Sequence, residues 1–150
     1  MHAPIFNLPV QVYIEDTDTN GIVYHANYLR YMERARTEWL RSLGYNRADI
    51  TAMGIMLVVK KIEIDYLAPA RLDDSLLSVV HSFTLQKVSI RLHQAIYLLH
   101  HTKEKHINDK KMTKLCDAQV QIAFIDCIHF KPCSFEDMRS LLKTKYLMHS

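Results

Sequence analysis

Ala26-Asn27-Tyr28-Leu29-Arg30-Tyr31-Met32-Glu33-Arg34-Ala35-Arg36-Thr37-Glu38-Trp39-Leu40-Arg41-Ser42-Leu43-Gly44 is the stretch that decides the fold. Tyr28, Leu29, Met32, Ala35, Trp39, Leu40 and Leu43 recur at a helical period. Arg30, Glu33, Arg34, Arg36, Glu38 and Arg41 take most of the remaining positions. Gly44 stands where a left-handed residue ends a helix. The pattern predicts one long amphipathic helix from about Ala26, with Met32 and Trp39 in the core.

On either side of this helix the apolar period changes to two, the period of strands. Val10–Glu15 reads as a strand before it, followed by the polar loop Asp16–Gly21. After it come strands at Ile55–Tyr66, Ser75–Leu85, Val88–Leu99 and Leu115–Ile128, the last with Val120, Ile122 and Phe124 on one face. Leu67-Ala68-Pro69-Ala70 interrupts the first of these, and Gln86-Lys87 marks a tight turn. The lysine-rich stretch His100–Met112 reads as a hairpin tip, and Ser134-Phe135-Glu136-Asp137 as a capping box opening a short terminal helix. One helix followed by a run of strands argues α+β with an antiparallel sheet.

Composition narrows the function. The 150 residues are 49% apolar and 23% charged, an ordinary globular balance read as one domain, 1–150. A net charge of +3 falls short of a dedicated nucleic-acid binder, so no nucleic-acid partner is expected. With 3 glycines there is no glycine-rich loop of the Walker or dinucleotide type. Cys116, Cys127 and Cys133 form no C-x-x-C pair and read as free thiols of a reducing compartment. The start lacks the basic and apolar regions of a leader, and no apolar run is long enough to span a bilayer. A cytoplasmic location without an integral membrane span is the expectation.

The loop Asp16-x-Asp18-x-x-Gly21 is the densest acidic feature and has three readings. As a calcium loop it fails at the twelfth position, where Asn27 stands in place of a bidentate Glu. A phosphatase-type aspartyl nucleophile would need a parallel-sheet domain and further motifs that the chain lacks. The third reading delivers a carboxylate to the start of the long helix. Unpaired N–H groups there carry partial positive charge and polarise a carbonyl as an oxyanion hole does. A carboxylate beside them suits acyl transfer. A plain turn rich in Asp and Asn remains the alternative.

The run Glu15-Asp16-Thr17-Asp18-Thr19-Asn20-Gly21-Ile22-Val23-Tyr24-His25-Ala26-Asn27-Tyr28, followed by Tyr31-Met32-Glu33-Arg34-Ala35-Arg36, resembles the signature of hotdog-fold thioesterases. It is similar to the 4-hydroxybenzoyl-CoA thioesterase family, and most to its YbgC-type branch, associated with Tol–Pal systems. The likeness continues through Tyr66, Pro69, Arg71, Asp73 and Asp74 to Lys131-Pro132. It implies a five-stranded antiparallel sheet wrapped around one long central helix, with a short C-terminal helix. It also implies hydrolysis of acyl-CoA to free acid and CoA, without cofactor or metal. Homodimers or homotetramers with active sites at the subunit interface are implied too. On this resemblance Asp18 is the catalytic carboxylate, as nucleophile or general base, and Gly21 lets the loop turn. The His25 backbone N–H polarises the thioester carbonyl while its side chain assists the thiolate or water. Tyr24 and Tyr28 shape the pocket, and Asp16 sets the loop.

Other features have plainer readings. His100, His101 and His106 are irregularly spaced, and Cys127-x-His129 with Cys133 is a weak metal pattern. Lys103, Lys105, Lys110, Lys111 and Lys114 suit a solvated hairpin, though they also suit phosphates or an acidic acyl carrier protein. Lys60, Lys61 and Arg91 are the candidates for CoA phosphates. The contrasting function is a non-catalytic hotdog scaffold that binds acyl carriers or partner proteins of lipid metabolism.

Overall fold

In the computed structural model, which describes residues 3–100 and 112–147, the helical stretch forms α1, Asn27–Ser42. Its C-terminus closes in a Schellman motif. The Gly44 N–H donates to the Arg41 carbonyl at 3.0 Å and the Tyr45 N–H to the Leu40 carbonyl at 2.9 Å. Gly44 takes the left-handed φ of 95° that this geometry requires. Tyr28, Met32, Ala35 and Trp39 are buried as expected, and Tyr31 joins them.

Five strands follow the period-two reading: β1 Phe6–Gln11, β2 Ile55–Tyr66, β3 Ser75–Leu85, β4 Ser89–Leu99 and β5 Met112–Asp126. They form one antiparallel sheet in the order β1-β3-β4-β5-β2. The bounds of β2 and β3 match the sequence reading, while β1 is displaced. It stops at Gln11, because the Asp16 carboxylate accepts the Tyr13 N–H at 2.9 Å and closes Ile14–Asp16 into a 3₁₀ turn. β5 ends at Asp126 instead of Ile128, because the Asp126 carboxylate accepts the amides of Ile128 and His129, both at 2.8 Å. Between α1 and β2 lies α2, Arg47–Ala52, a short helix that the period analysis missed. Its signal is Asn46-x-x-Asp49, a reciprocal capping box. The terminal helix α3, Glu136–Leu142, starts without the box expected at Ser134. Phe135 holds the cap position and the Asp137 carboxylate accepts the Tyr45 hydroxyl instead. The centre of the expected lysine-rich hairpin, with His101, His106 and Lys103 to Lys111, lies outside the described residues.

α1 covers one face of the sheet, and three buried polar side chains fasten it there. The Ser78 hydroxyl of β3 donates to the Tyr31 carbonyl at 3.0 Å. The Gln94 amide of β4 donates to the Met32 carbonyl at 3.1 Å and accepts from the Arg36 guanidinium at 2.9 Å. Arg36 therefore departs from its expected place on the polar side: it is buried. The charge pattern concealed this because the reason, an amide opposite it on β4, is distant in sequence. At the far end of α1, Trp39 packs 6.0 Å from Phe83 and donates its indole N–H to the Tyr146 hydroxyl at 3.2 Å.

The opposite face of the sheet carries a half-buried titratable cluster. His81 occupies the bulge in β3, stacks on His93 at 4.9 Å, and shares a 2.8 Å hydrogen bond with the Tyr97 hydroxyl. His93 and Lys114 both contact the Asp117 carboxylate, at 2.8 and 3.0 Å. Burial, then the neighbouring His93 and Lys114 charges, lowers the His81 pKa against the opposing pull of Asp117. Burial raises the Asp117 pKa, but the bonds from His93 and Lys114 outweigh it and the net shift is downward.

Two outcomes follow from these contacts. Gly44→Ala places a side chain where nothing lies within 4 Å, so its cost is backbone strain alone. A loss of about 1 kcal/mol lowers the thermal midpoint by roughly 2–4 °C, and an unchanged melt would contradict the left-handed cap. The second outcome is a pH effect. A histidine held below its unfolded value binds a proton more readily in the unfolded chain, so stability falls as pH drops below about 6.5. Asp117 acts in a separate window, losing its contribution only as pH falls below the usual carboxylate range. His81→Gln flattens the slope of urea midpoint against pH between about 7 and 5. An equal slope in both proteins would remove His81 from this account.

Candidate active site at the start of helix α1

The acidic loop folds as a tight hairpin tip. The Gly21 N–H donates to the Asp18 carbonyl at 3.0 Å and the Asp18 N–H to the Ile22 carbonyl at 2.9 Å. Gly21 has a φ of 76°, so the tip is a turn closed by a residue in the left-handed region. A side chain at Gly21 would meet no atom within 4 Å, and the requirement for glycine is conformational. One Asp18 carboxylate oxygen accepts the Asn20 N–H at 2.7 Å, orienting the side chain over its own turn. Its other oxygen has no hydrogen-bond partner among the described residues.

Asp16 anchors the hairpin to the helix. Its carbonyl accepts the Tyr24 N–H at 2.9 Å and the Asn27 side-chain amide at 2.8 Å. Asn27 is buried at the first position of α1, a positioning role that its place in the motif did not by itself disclose. Val23 adds a bond from its N–H to the Ala70 carbonyl at 2.9 Å. Among the described residues the buried Tyr31 hydroxyl makes no hydrogen bond of ordinary geometry, and burial, then the nearby Asp16 carboxylate, drives its pKa far up. The phenol therefore stays neutral.

At the helix start the chain turns through Tyr24, His25 and Ala26, and the Asn27 N–H donates to the Tyr24 carbonyl at 2.9 Å. Among the described residues, nothing accepts from the backbone N–H groups of His25 and Ala26. These donors stand at the positive end of α1. Around them lie Tyr24, with its ring 4.5 Å from His25, and Tyr66, 6.3 Å from His25 and 5.8 Å from Tyr28. The Tyr66 hydroxyl donates to the His25 carbonyl at 3.0 Å, which holds the turn from the β2 side. Tyr28 is buried, and its hydroxyl accepts the Ala70 N–H at 2.9 Å. Burial raises the pKa of both Tyr28 and Tyr66.

Tyr24, His25 and Tyr28 thus gather at one place, whereas Asp18 makes no hydrogen bond or ring contact with them among the described residues. Two clefts of about 590 and 610 Å³ include none of these four residues. In the single chain Tyr24 and His25 are exposed and Asp18 is half-buried. Of the candidate cations, Lys60 occupies a bulge in β2, while Lys61 is paired with Glu63 at 2.9 Å beside Arg91 on the outer sheet face. Chemically, the arrangement offers two free amide donors for an oxygen anion and a carboxylate oxygen with its lone pairs unspent.

Residues 12–140 match the profile of the thioesterase-like superfamily. The chain is 36% identical over 132 residues to the acyl-CoA thioester hydrolase YbgC of Escherichia coli, covering 88% of this chain and 90% of that protein. It is 33% identical to the acyl-CoA thioesterase YbgC of Helicobacter pylori, over 81% of this chain and 87% of that one. Among solved structures, a probable thioesterase from Bartonella henselae is similar at 32% identity and a TM-score of 0.67, covering 86% and 97% of the two chains. A 1,4-dihydroxy-2-naphthoyl-CoA thioesterase from Synechocystis shares the fold at a TM-score of 0.76 and 24% identity, over 91% and 94%. The architecture is the hotdog fold, an α+β fold. A strand-flanked helix with free amides at its start, carried on this fold and matched along most of its length, places the chain in the thioesterase-like superfamily, in its YbgC branch.

Proposed function

We propose that this chain hydrolyses acyl-CoA thioesters to a free acid and CoA at the start of α1. The observation that carries the reading is the pair of unengaged amides at His25 and Ala26, with a carboxylate on the adjoining hairpin. The thioester oxygen accepts from these amides, which stabilise the negative charge that builds on it as the carbonyl carbon is attacked. Asp18 either attacks that carbon itself or takes a proton from the attacking water. The C–S bond then breaks and the thiolate of CoA leaves. On the general-base route the proton taken from water passes to the thiolate and the acid is released directly. On the nucleophilic route a mixed anhydride forms on Asp18, and water hydrolyses it to free the acid and the carboxylate, its proton balancing the thiolate. In this reading the His25 side chain assists the thiolate or the water. Gly21 keeps the hairpin tip turned, and Tyr24 and Tyr28 line the approach.

A second copy of the chain completes the pocket. β2 is a twelve-residue strand at the edge of the sheet, with Val58 and Val59 about two-fifths exposed. Such an edge calls for a cover. An acyl group on an acyl carrier protein is the alternative form of the substrate. A purely binding scaffold is disfavoured by the Asp18 oxygen left without a partner.

Thiol release from a panel of acyl-CoA esters tests the reaction. Asp18→Asn lowers kcat/KM by about 100-fold or more at an unchanged melting temperature; wild-type rates in that variant would refute the catalytic assignment. His25→Ala keeps the backbone amide and loses roughly tenfold or less, because the polarising donor belongs to the main chain. In sedimentation, the active protein runs at twice the chain mass or more. An active monomer would refute the shared pocket. Faster turnover of the same acyl group on acyl carrier protein would move the substrate from CoA to the carrier.

A further inference from the structure

Tyr66 closes β2, and its backbone is tied down on both sides. It lies opposite Cys116 in β5, and the N–H groups of Leu67 and Ala68 both donate to the Leu115 carbonyl, at 2.8 and 3.1 Å. The segment beyond is knitted to the helix start as well. The Ala70 N–H donates to the Tyr28 hydroxyl at 2.9 Å, and the Ala70 carbonyl accepts the Val23 N–H at 2.9 Å. The Tyr66 phenol is therefore delivered from a fixed support. Its ring meets those of Tyr28 and His25 edge-on, and its hydroxyl donates to the His25 carbonyl at 3.0 Å. Burial, then Cys116, raises the phenol pKa, so the hydroxyl keeps its proton through the neutral range.

The His25 carbonyl has no main-chain donor among the described residues. In a regular helix it would accept from the residue four positions on. Here the Leu29 N–H goes instead to the Ala26 carbonyl, at 3.2 Å. The Tyr66 hydroxyl takes its place. The His25 carbonyl and the Ala26 N–H belong to one planar trans peptide, in which the two bonds point in opposite directions. Anchoring the oxygen from the Tyr66 side aims the Ala26 N–H the other way. A donor on that oxygen also polarises the peptide, which makes its N–H a stronger donor in turn. Both partners lie in one chain, so the contact needs no second copy.

We infer that Tyr66 is a positioning residue, its hydroxyl orienting and polarising the His25–Ala26 peptide so that the Ala26 N–H donates to the thioester oxygen. The role in turnover rests on the reaction proposed above, whereas the anchoring of the peptide does not. Losing a whole donor of this kind costs about 10²–10³ in kcat, and cooperative strengthening is worth roughly 10–30% of a bond. Loss of the hydroxyl alone therefore lowers kcat by about two- to eightfold.

Tyr66→Phe keeps the ring and removes only the hydroxyl, and its melting temperature reports whether it folds. Two measurements on the full chain then test the inference. Isotopic labelling of histidine carbonyl carbons and alanine nitrogens makes two peptides visible by NMR, His25-Ala26 and His2-Ala3. The second is assigned by its disappearance in Ala3→Ser and serves as the reference. In Tyr66→Phe the His25 carbonyl and Ala26 amide-proton signals move upfield. Thiol release from a panel of acyl-CoA esters shows kcat down about two- to eightfold for every ester, at unchanged KM, because charge builds on the oxygen only in the transition state. Unmoved signals overturn the inference. Moved signals with a wild-type kcat overturn it too, as does a change in KM that varies with the acyl group, which marks a pocket wall. A rate loss in Tyr66→Leu but not in Tyr66→Phe assigns the effect to the ring and overturns it equally. Fluorotyrosine incorporation, which makes the phenol a stronger donor, keeps the test open if Tyr66→Phe does not fold: the His25 carbonyl signal moves downfield, and an unmoved signal overturns the inference. Wild type that releases no thiol refutes the proposed reaction and the rate role together, and the carbonyl signal separates that failure from a failure of the anchor.

Discussion

A five-stranded antiparallel sheet exposes one apolar face, and in this chain a single helix of 16 residues has to cover most of it. Everything else is arranged around that contact. Trp39, Tyr31 and Met32 are almost wholly removed from water, which favours the docked helix by roughly 1.5–3 kcal/mol for each large side chain. Apolar burial alone would let the helix slide or rotate on the sheet. Ser78 and Gln94 prevent this, because each is buried and spends a donor on a particular α1 carbonyl. Moving the helix by one residue would strand those groups without partners, at about 1–3 kcal/mol apiece.

Fixing the helix fixes its start. The first turn of any helix leaves amides unpaired, and here the route into α1 keeps those of His25 and Ala26 open to a ligand. The hairpin that carries Asp18 is held to the same helix through Asp16, Tyr24 and Asn27. Carboxylate and amides therefore share one support. The Asn20 amide on Asp18 orients the carboxylate over its own turn.

The fold was largely legible in the sequence because its two periods are clean: the α1 stripe and the alternation in β2 and β3 are set by which face is buried. The errors came where a short polar side chain overrode the period. Asp16 curled the end of the first expected strand into a turn, Asp126 ended β5 early, and Asn46 with Asp49 made a helix too short to show a stripe. The motif pointed to the hairpin and the helix start, but spacing along the chain could not show that, among the described residues, Asp18 makes no hydrogen bond to His25. The burial of Arg36 was equally hidden, since its amide partner lies 58 residues away.

The sheet order has a kinetic side. β3, β4 and β5 pair with sequence neighbours, whereas β1 and β2, consecutive along the chain, end at opposite edges. β1 has no partner until β3 is made, and β2 none until β5, the last strand along the chain. Closing those long loops must come before the reward of burying Trp39. Such a chain folds in milliseconds to seconds rather than microseconds. During that interval the apolar stripe of α1 stays exposed.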